Sequence, residues 1–309
     1  MLLHDIYDTR YHAVRRRLGR ALGNYLFVLP ATLFLLACLL YPLILNVMIS
    51  FQDLTAGTLL SGGPWVGFDN YRAVFDDPGF MPALMHSIVF TGFSVGFQVS
   101  IGLSLALFYN RQFPGNRAMR GLFLVAYAVP VVATGAVFRW LLDGQSGVIN
   151  WALRSAGIID TPHAWLSEPS TALPALIFVN IWLGIPFSLM VLLAGLQGIP
   201  RSLYEAARID GAGPLAQFRY ITLPQLRPAL LAVVLLGTIF TFKVFDLVWI
   251  TTQGGPANAT QVLPTFAYKF VFQQLLIGKG AAVLNLMFVM LLAFSLVYLW
   301  AARREEANV

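Results

Sequence analysis

Six long apolar stretches constrain this chain more than any other feature of its sequence. A helix needs about 20 apolar residues to cross the roughly 30 Å hydrocarbon core of a bilayer. Each stretch is long enough to do so and is about three times as long as a usual strand, which excludes a sheet. The predicted spans are Tyr25–Ser50, Leu84–Tyr109, Met119–Leu142, Thr171–Gln197, Pro228–Thr251 and Ala281–Ala302. The sequence therefore predicts an all-α polytopic membrane protein with six transmembrane helices.

The composition agrees with a membrane bundle and excludes several other classes of protein. Apolar residues make up 58% of the 309-residue chain and charged residues 11%, well below the roughly 25% charged residues of soluble domains. The net charge of +6 is spread along the chain rather than pooled in one basic stripe, so we expect no nucleic-acid partner. The four histidines and the single cysteine lack ligand spacing, and no metal site is predicted.

The distribution of cations predicts the orientation of the six spans. Fourteen lysines and arginines fall on one side of the predicted bundle and four on the other, and the cation-rich side of a membrane protein faces the cytoplasm. We therefore expect a cytoplasmic N-terminal segment (1–24), a membrane domain (25–302) and a cytoplasmic tail (303–309), with the 198–227 segment also in the cytoplasm. The outer loops are predicted at 51–83, 142–170 and 252–280, and their length suits a surface on which another molecule docks.

The cytoplasmic segment 198–227 carries the most informative pattern. Pro200 opens a helix, whereas Gly211 and Pro214 break it, and a second short helix is predicted to run to Pro224. Small residues near the turn would let a partner backbone approach closely. The residue types alone leave two interpretations open, a docking element or an ordinary amphipathic loop.

The motif in this segment resembles the EAA loop of binding-protein-dependent ABC importer permeases. The matching residues are Glu205-Ala206-Ala207, Asp210, Gly211, Phe218, Ile221 and Leu223-Pro224. The resemblance implies a six-helix, MetI-like permease bundle whose cytoplasmic coupling helices dock on an ATPase. It assigns that docking role to Glu205, Ala206, Ala207, Asp210 and Gly211.

Three other segments resemble the sugar-importer branch of that family, the maltose-type F subunits. They are Val66–Tyr71 with Asp77–Phe80, Thr252–Thr260, and Gly147–Asn150 with Trp165-Leu166. The chain departs from the maltose permease in having about 24 residues before its first span, with no extra N-terminal helices. The resemblance implies a multi-pass subunit of the bacterial inner membrane. The implied partners are a second related permease, two cytoplasmic ABC ATPase subunits, an extracytoplasmic sugar-binding protein and membrane lipid.

The resemblance also points to a substrate pathway between the fourth and fifth spans. The fourth-span residues that match the sugar-contacting stretch of maltose-type permeases include Asn180, Leu183 and Gly184, and those of the fifth span are Gly237, Thr241 and Val244. On a continuous helix, 237, 241 and 244 share one face, and an asparagine amide can bind sugar hydroxyls. An interhelical hydrogen bond is the alternative role for Asn180.

Two further patterns lie inside the predicted spans. Lys243 and Asp246 are three residues apart in the fifth span, and because an intramembrane charge is costly we predict a structural ion pair. Gly92 and Gly96 form a GxxxG pattern in the second span, for which we predict helix packing.

Two alternative functions remain at this stage. An ion-coupled secondary carrier would leave the EAA-like loop unexplained, and the internal repeats typical of carriers are not evident. An intramembrane serine protease is suggested by Gly144–Gly147 (GQSG), but such an enzyme needs a histidine on a later span, and the last histidine is His163. The sequence contains no G-x-x-x-x-G-K-[ST] motif, so we expect no enzyme activity and no cofactor in this chain, with ATP and magnesium bound by the ATPase partner.

Overall fold

The computed structural model describes residues 27–306, with side chains for 27–302. The predicted N-terminal segment 1–24 lies outside this range, as do the last three residues of the predicted tail. In chain order the described helices are α1 (Phe27–Ser50), α2 (Asp69–Phe75), α3 (Phe80–Tyr109), α4 (Asn116–Ala128), α5 (Val131–Leu141), α6 (Val148–Ser155), α7 (Pro169–Gln197), α8 (Arg201–Ile209), α9 (Pro214–Phe242), α10 (Asp246–Thr251), α11 (Leu263–Tyr268) and α12 (Ile277–Glu306).

Five of these helices are long and apolar enough to cross a membrane. They are α1, α3, α7, α9 and α12, the last with its first 26 residues, Ile277–Ala302. Four of them coincide with predicted spans to within a few residues. Within the described range the only strand-like pairings are two isolated bridges. The prediction of an all-α membrane bundle is therefore confirmed.

The third predicted span, 119–142, is not one straight helix. It consists of α4 and α5, whose axes are bent by 95°. Val129 and Pro130 between them are extended, with ψ of 126° and 140°. A proline disfavours the helical conformation in the preceding residue and donates no backbone hydrogen bond. Pro130 therefore accounts for the break, and the prediction of a continuous span is corrected to a bent pair.

The fifth predicted span, 228–251, differs from the structure at both ends. The predicted second short helix does not stop at Pro224, because α9 continues from Pro214 through one wide π-helical turn at Phe218–Thr222 into the membrane. At the other end α9 stops at Phe242, where Lys243 leaves the helical conformation with ψ near 9°. The short helix α10 follows after this break.

The centre of the bundle is the close pair α3 and α7. A Cβ atom on Gly102 of α3 would lie 2.6 Å from the Cβ of Ser188 on α7, and one on Gly195 would lie 2.7 Å from the Cβ of Ala229 on α9. The hydrophobic effect contributes little to the association of helices in lipid. Close packing between small residues such as these therefore contributes much of the stability of the helix pairs. Buried side chains of these helices and of α5 and α10, including Phe90, complete the core.

The predicted GxxxG packing is not made within the described residues. A Cβ on Gly92 or Gly96 would meet no atom within 4 Å. Both glycines line an open apolar groove of about 530 Å³ between α3, α9 and α12. The close helix contacts of α3 instead involve Gly102, six residues after Gly96.

The three long loops form one end of the bundle, called the loop end below. The first and third loops are joined by backbone hydrogen bonds, from Ala56 N–H to the Leu275 carbonyl (3.2 Å) and from Gly278 N–H to the Leu54 carbonyl (3.0 Å). Just below them, Asn46 of α1 donates to Asn285 of α12 at 2.6 Å. No residue in the most apolar 18-residue part of α1 is buried. The contacts at the loop end therefore attach α1 to the bundle.

Candidate functional site

The opposite end of the bundle, called the α8 end, carries the segment that resembles the coupling loop. Helix α8 begins directly after Pro200, whose fixed φ suits a helix start. It ends with Gly211 in the left-handed region at φ +80°. The N–H groups of Gly211 and Ala212 donate to the carbonyls of Arg208 (3.1 Å) and Ala207 (2.8 Å), which is the Schellman pattern of a helix C-terminus. The predicted helix and turn are both present.

The residues predicted to couple to an ATPase lie on the surface of this segment. Glu205, Ala206, Asp210 and Gly211 are exposed and Ala207 is half-buried. Large apolar side chains beside them are also open to solvent, namely Ile209 (87% exposed), Leu215 (79%) and Tyr220 (73%). Exposed apolar residues grouped on a polar segment are typical of a docking surface.

The segment of α8 and its turn (201–213) is attached to the membrane bundle. The Tyr204 hydroxyl of α8 lies 3.0 Å from the Thr222 hydroxyl of α9. Gln217 Nε2 donates to the Ala212 carbonyl at 2.8 Å and holds the turn against the start of α9. Because α9 runs on into the fifth span, these two contacts connect α8 to a membrane helix.

The fourth-span candidates lie at the contact between α3 and α7, called the α3/α7 seam below. Asn180 is buried (6% exposed), and its backbone carbonyl accepts a hydrogen bond from Gln98 Nε2 at 2.7 Å. A Cβ on Gly184 would lie 2.2 Å from Gln98 Cδ. Gly184 therefore makes room for the side chain of Gln98, while Leu183 is half-buried against the apolar cluster around Phe90.

Sequence reasoning missed Gln98 and the polar stripe to which it belongs. Thr91, Ser94 and Gln98 are buried on one face of α3, and their spacing of three and four residues within an apolar span could have indicated them. The Thr91 Oγ1, Ser94 Oγ and Asn180 Nδ2 atoms are buried without a hydrogen-bond partner among the described residues. A buried donor or acceptor left unpaired costs about 1–3 kcal/mol, which makes these three atoms candidates for contact with a polar ligand.

The fifth-span candidates are only partly brought together. Gly237 and Thr241 of α9 are buried, and a Cβ on Gly237 would lie 3.7 Å from Val95 of α3. Val244 lies beyond the helix end at Phe242, so the predicted common helix face of 237, 241 and 244 is wrong for Val244. Its half-buried side chain packs against the Phe90 cluster instead.

The predicted ion pair between Lys243 and Asp246 is absent. The two residues flank the break between α9 and α10 rather than sharing a helix, and both are exposed. Elsewhere, Arg72 pairs with Asp69 at 3.1 Å, and the His163 ring lies 3.4 Å from the Glu168 carboxylate. The Lys243 ammonium lies 5.3 Å from the centre of the Phe240 ring, within reach of a cation–π contact.

Two of the motifs that resemble sugar-importer permeases hold loops of the loop end in shape. Asn150 is buried (3% exposed), and its Oδ1 accepts from Trp165 Nε1 at 2.9 Å and from the His163 N–H at 3.2 Å. In the third loop, the hydroxyls of Thr252 and Thr260 lie 2.7 Å apart. These motif residues therefore fix loop shape.

The serine of the GQSG sequence is held by a carboxylate rather than a histidine. The Ser146 N–H and hydroxyl donate to Asp143 Oδ1 at 2.7 and 2.8 Å, and these bonds lower the pKa of the Asp143 carboxyl below its usual value. A carboxylate that accepts from the N–H and the hydroxyl of one exposed residue is a turn cap. The structure gives no support to a protease.

The comparisons with known proteins agree with this geometry. Residues 98–306 match the family described as the binding-protein-dependent transport system inner membrane component. The chain is 34% identical over 281 residues to a trehalose/maltose transport system permease protein of Thermococcus litoralis, covering 91% of this chain and 93% of the relative. It is 35% identical over 291 residues to a sulfoquinovosyl glycerol transport system permease protein of Agrobacterium fabrum, covering 94% and 93%.

A solved structure shares the whole fold. A bacterial ABC transporter involved in the import of the acidic polysaccharide alginate contains a chain with a TM-score of 0.81 and 23% identity, covering 94% of this chain and 98% of that one. The family match spans more than half of the chain and includes α8, the α3/α7 seam from Gln98 onward and the fifth span. The chain therefore belongs to the family of binding-protein-dependent transport system inner membrane components, the permease subunits of ABC transporters.

Proposed function

We propose that this chain is one permease subunit of an ATP-driven importer that carries a sugar across the bacterial inner membrane. The observation that carries the proposal is α8, an exposed helix-turn element attached to a membrane helix at the end opposite the long loops. The relatives named for trehalose/maltose and for sulfoquinovosyl glycerol support a sugar or a related polyol. Monosaccharides, disaccharides and glycerol phosphate also fit this class.

The α8 end is proposed to dock on the ATPase. Glu205, Ala206, Ala207, Asp210 and Gly211 would contact one of two cytoplasmic ATPase subunits, which bind ATP and magnesium. This arrangement places the α8 end and both chain termini in the cytoplasm, in agreement with the cation distribution. Closure of the ATPase pair would pull on α8, and through α9 would bias the bundle between two states open to opposite sides.

The loop end is proposed to receive the binding protein from outside. A second related permease would complete the pathway, as the resemblance implies. The hydrogen bonds that join the first and third loops make this end a defined surface. The relevant solved comparison is the alginate transporter in complex with an alginate pentasaccharide-bound periplasmic protein, which shares this fold.

A transport experiment tests the proposal. The complex isolated through this chain from its native membrane is reconstituted in proteoliposomes with its binding protein and a panel of labelled sugars. We expect uptake of at least one sugar that requires ATP on the α8 side and stops with a non-hydrolysable analogue. Uptake driven by a proton or sodium gradient without ATP would instead support a secondary carrier and contradict the proposal.

The substrate pathway is proposed to run along the α3/α7 seam and the buried face of α9. Asn180, Leu183 and Gly184 would line it from α7, with Gly237 and Thr241 from α9 and Val244 just beyond that helix. The unpaired Asn180 Nδ2 supports this proposal, because it is a buried donor aimed at no described acceptor. A sugar hydroxyl passing the seam would supply one.

Replacing Asn180 with leucine is expected to weaken sugar uptake without destabilising the bundle. The change removes a donor that has no partner in the described structure, so it forfeits no internal hydrogen bond of the side chain. Loss of one hydrogen bond to substrate at about 1 kcal/mol corresponds to about a fivefold rise in KM. Uptake kinetics and the melting temperature of the purified complex are the two measurements.

Gln98→Leu is the matched control for this experiment. Gln98 donates to the Asn180 carbonyl, so its replacement removes this hydrogen bond between α3 and α7 and should lower the melting temperature. If Asn180→Leu lowers the melting temperature as much as Gln98→Leu and leaves KM unchanged, Asn180 is a packing residue, and the pathway proposed here is wrong.

A further inference from the structure

A large cavity at the α8 end is lined by arginines and has no assigned role. It measures about 930 Å³ and lies between α8 and the ends of α3 and α7. Its lining includes Arg111, Arg120, Arg201 and Arg208 and contains no aspartate or glutamate. Four guanidinium groups around one space repel one another, so an anion placed among them is stabilised.

These arginines are not neutralised within the described part of the chain. No described carboxylate forms an ion pair with any of them. Arg120 donates to the Tyr109 carbonyl, but its Nε is buried without a partner among the described residues. An unpaired guanidinium N–H that is shielded from water is a costly arrangement unless a ligand accepts from it.

The position of the cavity selects the type of anion. Leu107 and Leu196, at the last turns of two membrane spans, form part of its wall, together with Ile199 and Phe218. Because they stand at the ends of apolar spans, we infer that these side chains lie near the boundary between the hydrocarbon core and the headgroups. A free phosphate needs no apolar wall, whereas a phospholipid carries a charged headgroup and acyl chains side by side.

The cavity also differs from the surface proposed for the ATPase. Arg201, Tyr204 and Arg208 share one face of α8 by their spacing of three and four residues, and all three line the cavity. Glu205 borders this face, four residues after Arg201 and three before Arg208, but it does not line the cavity, and Ile209 lies on another face. The cavity therefore lies on the bundle side of α8, away from the exposed apolar residues.

We propose that this cavity binds the headgroup of an anionic phospholipid, with its phosphate among the four arginines. The lipid would brace α8 against the ends of α3 and α7. The proposal concerns the membrane around the subunit and does not depend on which substrate is carried. An acidic surface of the ATPase is the competing occupant, which the experiment below distinguishes.

Native mass spectrometry of the detergent-purified complex tests the proposal. Phosphatidylglycerol and phosphatidylcholine with identical acyl chains are added separately, and the retained lipid is counted. We expect preferential retention of phosphatidylglycerol. Arg120→Gln combined with Arg208→Gln should weaken it by about fivefold per arginine, since each cation contributes about 1 kcal/mol near an anionic lipid.

The matched control is Arg117→Gln combined with Arg219→Gln. It removes the same charge from exposed positions at the same end of the bundle that do not line the cavity, and it should leave lipid retention unchanged. Equal retention of the two lipids, an equal loss in both double variants, or displacement by excess inorganic phosphate would overturn the proposal. So would an Arg120/Arg208 variant that keeps phosphatidylglycerol but releases the ATPase subunits.

Discussion

Replacing Gly211 with proline is expected to abolish ATP-driven uptake by the assembled importer. Gly211 has φ +80° and donates its N–H to the Arg208 carbonyl. Proline fixes φ near −65° and has no N–H, so it is incompatible with both features. The strain is about 3 kcal/mol or more, enough to reduce the population of the native turn about 100-fold. Uptake into proteoliposomes and ATP hydrolysis by the same preparation are measured together.

Gly213→Pro is the matched control because it places the same residue two positions away. Gly213 has φ −70° and ψ 170°, a conformation that proline adopts, and its N–H makes no hydrogen bond within the described residues. We expect near-normal uptake from this variant. Normal uptake by Gly211→Pro as well would show that the shape of the turn does not matter for coupling.

The Glu205→Lys variant tests whether coupling depends on the surface contacts of α8 rather than on the shape of the turn that follows it. The Glu205 side chain is exposed, so a charge reversal leaves α8 intact and changes only what a docked partner meets. Loss of coupling in this variant, with the ATPase still hydrolysing ATP, would support direct contact between Glu205 and the ATPase. An unaffected Glu205→Lys variant next to an inactive Gly211→Pro variant would confine the coupling role to the turn.

The sequence was sufficient to predict those helices whose position depends only on the length of an apolar stretch. Spans such as Thr171–Gln197 were located to within a few residues because twenty apolar side chains in a row have few alternatives to a membrane helix. The bend at Pro130 could have been predicted, since proline acts on its neighbour through local sterics. The break at Lys243 could not, because no proline or glycine is present there and hydropathy does not report where a helix is interrupted.

The helix and turn of the α8 segment (201–213) were easier to predict than the contacts at the α3/α7 seam, for a physical reason. Pro200 and Gly211 set the limits of α8 through local backbone preferences, which a sequence displays directly. Gly184 and Gln98 lie on different helices and are 86 residues apart in the chain. A glycine in an apolar span indicates that something approaches closely, but it does not identify the approaching group. The hydrogen bond of Gln98 to the Asn180 carbonyl therefore needed the fold.

Replacing Gly184 with tryptophan is expected to stop transport while the subunits still assemble. Any Cβ at this position would lie 2.2 Å from Gln98 Cδ, so the Gln98 side chain must swing away and give up its bond to Asn180. The nearest atoms belong to the flexible Gln98 side chain rather than to backbone, so the indole can enter by displacing that side chain. The indole and the displaced amide then fill the seam through which sugar is proposed to pass.

Two controls separate a blocked pathway from a damaged bundle. Gly121→Trp introduces the same side chain on α4, where a Cβ would meet no atom within 4 Å, and it should retain uptake. Combining Gly184→Ala with Gln98→Ala restores room at the seam, so the double variant should transport better than Gly184→Ala alone. Basal ATP hydrolysis by the Gly184→Trp complex shows that assembly has occurred. Full uptake by that complex would mean that the pathway lies elsewhere, and that Gly184 serves only to let α3 and α7 approach.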